Sequence, residues 1–428
     1  MNPFQKSREV EAKKERLFSE IRRKTSDKAP LELIVEVDDN KRNSVYKELK
    51  RLGKCSCYKF IPYLSLECSP DDAERIANYA YGKKHDLRFE RNFRYALENI
   101  ISLEVSNKVS IPPEKPGINY YFKRDEDFLW NLNNIGVYDA LKIADGKGVK
   151  IGIIDTGIDY THPEVIERFG REKGYNFVGE NSNPMDGEGH GTHVAGITAG
   201  SKCGIARGST LYAIKVLGDD GSGSEADVMR GIEWALEKGI SIVNMSLGSN
   251  YASNAFRELC YYASSKGMIL CAAAGNDGIE GYEYPSSFEP VISVSAVDKK
   301  NRHADFSNIN DLIDISAPGV DIVSSYRGGY RMLSGTSMAT PHITGCLALM
   351  ISNGSKSAES VMKRHAEPLH SETGYPDSEV FGSGLIQIDK MLEGNESYAR
   401  LRAIFLGKNE CNERKSPIDY LIQKIRNM

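Results

Sequence analysis

Three residues in this sequence have the types and local settings needed for nucleophilic catalysis: Asp155 in GIIDTGID, His190 in GHGTHVAG and Ser337 in SGTSMATPH. A serine hydroxyl becomes a useful nucleophile near neutral pH when an imidazole takes its proton and a carboxylate holds the far ring nitrogen. A developing oxyanion then needs hydrogen-bond donors aimed at it, and a side-chain amide plus a backbone N–H at a helix start supplies them. Asn276, in the AAAGN segment between the second and third motifs, and the Ser337 N–H are the candidates. Thr340 and Pro341 point to a helix beginning near the serine, whose positive end favours the negative intermediate. His193 and His342 read as structural, and His162, His303, His365 and His370 have no motif partner.

Alternating strands and helices must position these groups. From Phe128 to about Leu392, apolar strand candidates fall at 149–155, 211–217, 240–247, 268–274 and 291–297, with helical runs at 224–238 and 252–266. Strands apolar throughout and separated by amphipathic helices predict an α/β fold with a mostly parallel sheet covered on both faces. Functional groups in such sheets collect beyond the carboxyl ends of the strands, where Asp155 and Asn276 fall.

The remaining segments have other characters. Residues 1–29 read as a charged helical tail. Residues 30–97 read as a small α+β domain of order βαββαβ. Its first strand alternates Leu31, Leu33, Val35 and Val37 as half-buried, a later one carries Leu64, Leu66 and Cys68, and the last holds Leu87, Phe89, Phe93 and Tyr95. Ser69 and Pro70 form an N-cap and first-turn pair. Residues 98–128, with three close prolines, read as a linker open to cutting, 129–393 as the large domain, and 394–428 as a helical extension with Ser416 and Pro417 opening its helix.

With 428 residues and a net charge of −4, the chain has no overall electrostatic footprint for nucleic acid, and no stretch is apolar enough to span a membrane. Its eight cysteines are too dilute for a disulfide scaffold; Cys271 and Cys346 read as buried hydrophobes, and the Cys55–Cys57 pair lacks the partner pair a zinc site needs. The charged first 29 residues lack the pattern of a secretory signal, which predicts cytoplasmic residence in a reducing compartment.

The order Asp, His, Asn, Ser and the contexts DTGID, HGTHVAG, AAAGN and GTSMATPH resemble the subtilisin-like serine proteases, the subtilases. The resemblance runs from about Trp130 to Leu392 and includes LYAIKVL, GIEWA and NMSLG; the spacings of 35, 86 and 61 residues suit a compact family domain. It implies a three-layer α/β domain that cleaves peptide bonds through an acyl-enzyme, with protein or peptide substrates and no cofactor. Asp155 then orients His190, His190 is general base and then acid, Ser337 attacks, and Asn276 stabilises the oxyanion. Extended substrate lies between Ser246–Leu247–Gly248 and Gly221–Ser222–Gly223 as an added strand.

The domain at 30–97 is similar in element order to the family's N-terminal propeptide, a folding chaperone and tethered inhibitor. That implies a self-processing zymogen cut between about Leu97 and Asp127. The short ITAGSKCGIARGST segment implies loss of the calcium loop of secreted relatives, while Asp314 aligns with a weaker cation site and otherwise reads as a surface residue. The resemblance also puts the main specificity pocket beside Ala274 and Gly275 and ahead of Tyr284-Pro285, with Asp277 and Glu283 near its rim and floor. Both carboxylates together imply a preference for Lys or Arg before the cut; the alternative is that both face solvent. Two other readings are a catalytically silent scaffold binding peptides in the same cleft, and nucleic-acid binding through the basic tail.

Overall fold

The computed structural model describes residues 31–69, 72, 75, 76, 88–91, 94–96, 129–278, 280–355 and 357–393. The expected tail, linker and C-terminal extension lie outside these residues, as do the proposed cutting region and the helix opened by Ser416.

The large unit is built on a seven-stranded parallel sheet. In chain order its strands are β6 (Lys150–Asp155), β7 (Gly174–Asn176), β8 (Thr210–Lys215), β10 (Ile242–Met245), β11 (Ile269–Ala273), β12 (Val291–Val297) and β13 (Ile315–Pro318). Their order across the sheet is β13-β12-β11-β10-β6-β8-β7. Successive side chains along a strand point to opposite faces. Thus Ile151 and Ile153 of β6 join one apolar cluster with the helices His190–Ala199 (α2) and Thr336–Ser352 (α5), through Val194, Ile197, Met338 and Leu347. Ile154, also on β6, joins another cluster with the helices Glu225–Glu237 (α3) and Asn254–Ser265 (α4), through Val228, Ile232, Phe256 and Leu259. The result is the expected three-layer arrangement. The Ser224 and Ser253 hydroxyls cap α3 and α4 by accepting the Asp227 and Phe256 N–H groups at 3.2 and 3.1 Å.

The N-terminal unit is a four-stranded antiparallel sheet ordered β2-β3-β1-β4, from β1 (Leu31–Glu36), β2 (Gly53–Cys57), β3 (Tyr63–Cys68) and β4 (Arg88–Arg91). Helix α1 (Arg42–Leu49) puts Val45 and Leu49 against Val35, Leu64 and Leu66 on one face. The expectation of a half-buried first strand needs correction: Ile34 and Tyr63 turn the other way and join Tyr58 and Ile61 in the apolar cluster around α3 and α4. Both faces are therefore covered, one by the unit's own helix and the other by the large unit. The Ser69 hydroxyl does act as a cap, accepting Asp72 N–H at 3.1 Å.

The strand expected over Leu87–Tyr95 divides between two sheets. Residues Arg88–Arg91 pair with β1, whereas β5 (Arg94–Ala96) leaves that sheet and pairs antiparallel with β9 (Ser222–Ser224), Tyr95 opposite Gly223. Hydrophobic alternation reports which face a residue takes, not which neighbour its backbone chooses.

Candidate active site

Asp155 is the last residue of β6 and His190 the first of α2, so a strand end and a helix start meet at the carboxyl edge of the sheet. His190 Nδ1 lies 2.8 and 2.9 Å from the two Asp155 carboxylate oxygens, and both residues are almost wholly buried. The approach is close because position 191 is glycine: a Cβ there would lie 2.1 Å from the Gly157 carbonyl oxygen. Thr156 ties the pair together, with its N–H on Asp155 at 2.7 Å and its hydroxyl accepting Gly191 N–H at 3.0 Å. That hydroxyl donates to Asp186, whose other carboxylate oxygen accepts both Thr192 N–H and its hydroxyl.

Burial pushes the His190 pKa down. The charge and hydrogen bond of Asp155, with Glu188 and Asp186 adding, more than reverse this, and the imidazole titrates above its ordinary value. Glu188 also accepts the His190 N–H at 2.6 Å, at the donor-rich start of α2. The sequence reading missed Glu188, although it stands only two positions before His190.

Ser337 is the second residue of α5, which begins at Thr336, beside the serine as expected. Pro341 lies inside the helix, and having no N–H it cannot bond the carbonyl four residues back, that of Ser337. The released carbonyl accepts the Ser246 hydroxyl at 2.8 Å, while the Ser337 hydroxyl donates to the Ser246 carbonyl at 3.3 Å. Asn244 donates to the Ser246 hydroxyl and accepts from Thr344 on α5, which locks the end of β10 to the serine helix. In this rotamer Ser337 serves Ser246, and His190 Nε2, though buried, has no partner among the described residues.

Asn276 follows β11 by three residues. Its Oδ1 accepts Thr336 N–H at 2.8 Å and the Thr336 hydroxyl at 2.9 Å, which fixes the amide plane. Its Nδ2 is buried and has no partner among the described residues. The structure thus places an amide donor beside the start of α5.

The other expected site residues divide. Ser246, Leu247 and Gly248 are buried directly after β10. On the opposite edge, Ser222 and Gly223 carry the pairing with β5, and Gly221 adjoins them. Ala274 and Gly275 lead into Asn276 and are buried. Asp277 and Glu283 differ in burial: Asp277 is exposed, with its N–H on Asn308 Oδ1 at 2.9 Å, whereas Glu283 is buried, so the alternative that both face solvent does not hold. Burial raises the Glu283 pKa to about 7.

Several residues outside the catalytic group have clear structural duties. His193 Nε2 bonds the Ile322 and Arg331 carbonyls, and His342 sits between the Met338 carbonyl and Asn131; burial lowers their pKa values to about 3 and about 4. Asp314 pairs with Lys363 at 2.7 Å and accepts Ser293 N–H. The short segment after α2 is held by Glu164, which sequence reading also missed. Its carboxylate accepts Lys202 N–H at 2.8 Å and the Tyr330 hydroxyl at 2.9 Å.

Comparison with known proteins agrees with this geometry. The Subtilase family model matches residues 146–371. The chain is 33% identical over 339 residues to the M-protease of Shouchella clausii (strain KSM-K16), covering 78% of this chain and 80% of the relative. It is 40% identical over 255 residues to Subtilisin DY of Bacillus licheniformis, covering 57% of this chain and 90% of the relative. Over 229 residues it is 42% identical to the thermophilic serine proteinase of Bacillus sp. (strain AK1), covering 52% of this chain and 56% of that protein. The chain belongs to the subtilase family and is a subtilisin-like serine protease, a hydrolase.

Proposed function

We propose that the chain is a serine endopeptidase working through an acyl-enzyme and made as a self-processing zymogen. Ser337 Oγ attacks the peptide carbonyl and His190 Nε2 takes its proton; Asp155 holds the ring and stabilises the imidazolium. The negative oxygen goes to Asn276 Nδ2 and the Ser337 N–H. His190 then returns the proton to the leaving amine, and a water activated by the same nitrogen releases the acyl group. The observation that carries this reading is the pair of buried, partnerless atoms, His190 Nε2 and Asn276 Nδ2, each fixed from behind by its other end. A buried polar atom needs a partner, and these two stand around one serine where a reacting peptide would supply an acceptor for the amide and a proton for the ring. For the attack, Ser337 Oγ turns from the Ser246 carbonyl toward His190 Nε2.

The zymogen reading is supported by β5, which lies along the β9 edge assigned to substrate. Residues 31–96 then act as the enzyme's own inhibitor, and the cut falls in 97–127. Seven unpaired cysteines among the described residues support work in a reducing compartment. A fluorophosphonate probe should modify wild type at Ser337 and leave Ser337→Ala unmodified. N-terminal sequencing of both should find a new terminus in wild type alone; a cut in both would remove self-processing, and an unlabelled wild type would remove the nucleophile.

A further inference from the structure

Glu283 is 4% exposed, and its Oε2 has no hydrogen-bond partner among the described residues. Isolated buried carboxylates are costly, and they persist where something else binds them. The surroundings of this one say where that something lies. A Cβ built on Gly275 would fall 2.9 Å from Glu283 Cδ, so the carboxylate packs against the bare backbone of the residue preceding Asn276. Gly275 has φ +115°, a conformation that side chains other than glycine's rarely adopt, and its Cβ would also collide with Asn308 Nδ2 at 2.1 Å. On the other side, Tyr284 pairs with Ser249 in an antiparallel bridge, N–H to carbonyl at 2.9 and 3.1 Å. Glu283 is thereby wedged between the 274–276 segment and the segment that runs Ser246–Ser249.

Those two segments also bracket the reacting carbonyl. Ser337 Oγ rests 3.3 Å from the Ser246 carbonyl, and Asn276 Nδ2 faces the start of the serine helix. A peptide carbonyl held between that hydroxyl and that amide leaves the side chain of its own residue to enter between 246–249 and 274–276, toward Glu283. We propose that Glu283 is a specificity-determining residue that selects lysine or arginine immediately before the cut, its carboxylate receiving the cation. This rests on the proposed catalytic role of Ser337 and adds to it. Since Asp277 is exposed, one buried carboxylate carries the selection, not two.

The charge on that carboxylate is conditional. Burial alone raises its pKa to about 7. The turn of 284–288, the 246–249 segment, the 274–276 segment and Asn308 bring no ionised side chain against it, and Asp277 and Glu280 on its own loop are exposed. Below about pH 7 the pocket holds a neutral acid, and above it an anion that attracts a cation strongly in partly desolvated surroundings.

The test compares peptide substrates identical except for Lys or Leu before the cleaved bond, using self-processed enzyme counted by fluorophosphonate titration of Ser337. At pH 8.5 the wild-type ratio of kcat/KM for Lys over Leu should exceed about tenfold, and it should fall several-fold by pH 6. In Glu283→Gln the ratio should drop at least about tenfold and lose its pH dependence. Equal or better turnover of Leu by wild type at pH 8.5 overturns the proposal, as does an unchanged ratio in Glu283→Gln. If that variant does not fold, the wild-type ratio and its pH profile decide alone. Labelled Ser337 with brisk Leu turnover and no Lys preference sinks only the Glu283 assignment; unlabelled Ser337 sinks the catalytic reading beneath it.

Discussion

The two sheets of this molecule are buried by different means. The seven-stranded sheet lies between two helical layers from its own unit, and both of its apolar clusters are large. The four-stranded sheet covers one face with a cluster of nine buried side chains among the described residues and lends the other to α3 and α4. There Tyr58 donates to the Ala226 carbonyl, Phe60 N–H to Glu233 and the Tyr63 hydroxyl to Glu258, while Lys59 pairs with Glu237 and the Phe60 ring stacks on Tyr262. A unit so small has little stability of its own to spare. The large unit is thus its own scaffold, and the small one depends on its seat. Under the proposed zymogen reading, a cut between the two units leaves these docking contacts alone to hold the small one.

The largest effect should come from thinning the small core. Leu64→Ala removes a fully buried side chain and should cost about 2–5 kcal/mol, which is most or all of what the small sheet has. Ile153→Ala carries a similar local cost in the large sheet, where more remains to absorb it. In a Ser337→Ala background, which removes the proposed nucleophile, hydrogen exchange should show residues 31–68 opening in Leu64→Ala while 150–155 stay protected. Joint opening of both regions would end the distinction. A smaller effect is expected at the seam. Glu233→Ala leaves the Phe60 N–H without its 2.7 Å acceptor, a loss of about 1–3 kcal/mol, and exchange in 31–68 should speed by roughly ten- to a hundredfold.

The same contrast governs what the sequence revealed. In the large unit the central strands are buried on both faces and α3 and α4 are each capped by the serine just before them, so there local pattern and final structure agree. The strand expected at 291–297 is observed as Val291–Val297, and the run 224–238 as Glu225–Glu237. The catalytic candidates were legible from their motifs, with Asp155 ending an expected strand and Asn276 just beyond another, whereas the helix that His190 opens was not among the helical runs read from the sequence. In the small unit, Ile34 and Tyr63 are buried by a partner more than a hundred residues away, which no local period encodes. The departure of β5 toward β9 is likewise decided by an edge elsewhere in the chain. Other omissions were matters of geometry: that Pro341 frees the Ser337 carbonyl follows from a four-residue offset, whereas the different burial of Asp277 and Glu283 depends on how one loop turns.

The finest test of the seam concerns a proton. Glu233 lies in the interface, where burial raises its pKa and the Phe60 and Lys59 N–H groups partly oppose the rise. Undocking of residues 31–96 returns the carboxylate to water and to its ordinary value of 4.5. Because its pKa is higher in the docked state, docking is favoured most below that ordinary value and weakens as pH rises through the docked value. A single proton limits the slope to about 1.4 kcal/mol per pH unit. Glu233→Gln keeps a carbonyl oxygen for Phe60 N–H but has no proton to exchange. In the Ser337→Ala background, opening of 31–68 should increase from pH 4.5 to pH 7 by more with Glu233 than with Gln. Identical pH profiles would mean that the Glu233 proton has no part in docking and that the seam is set by packing and neutral hydrogen bonds.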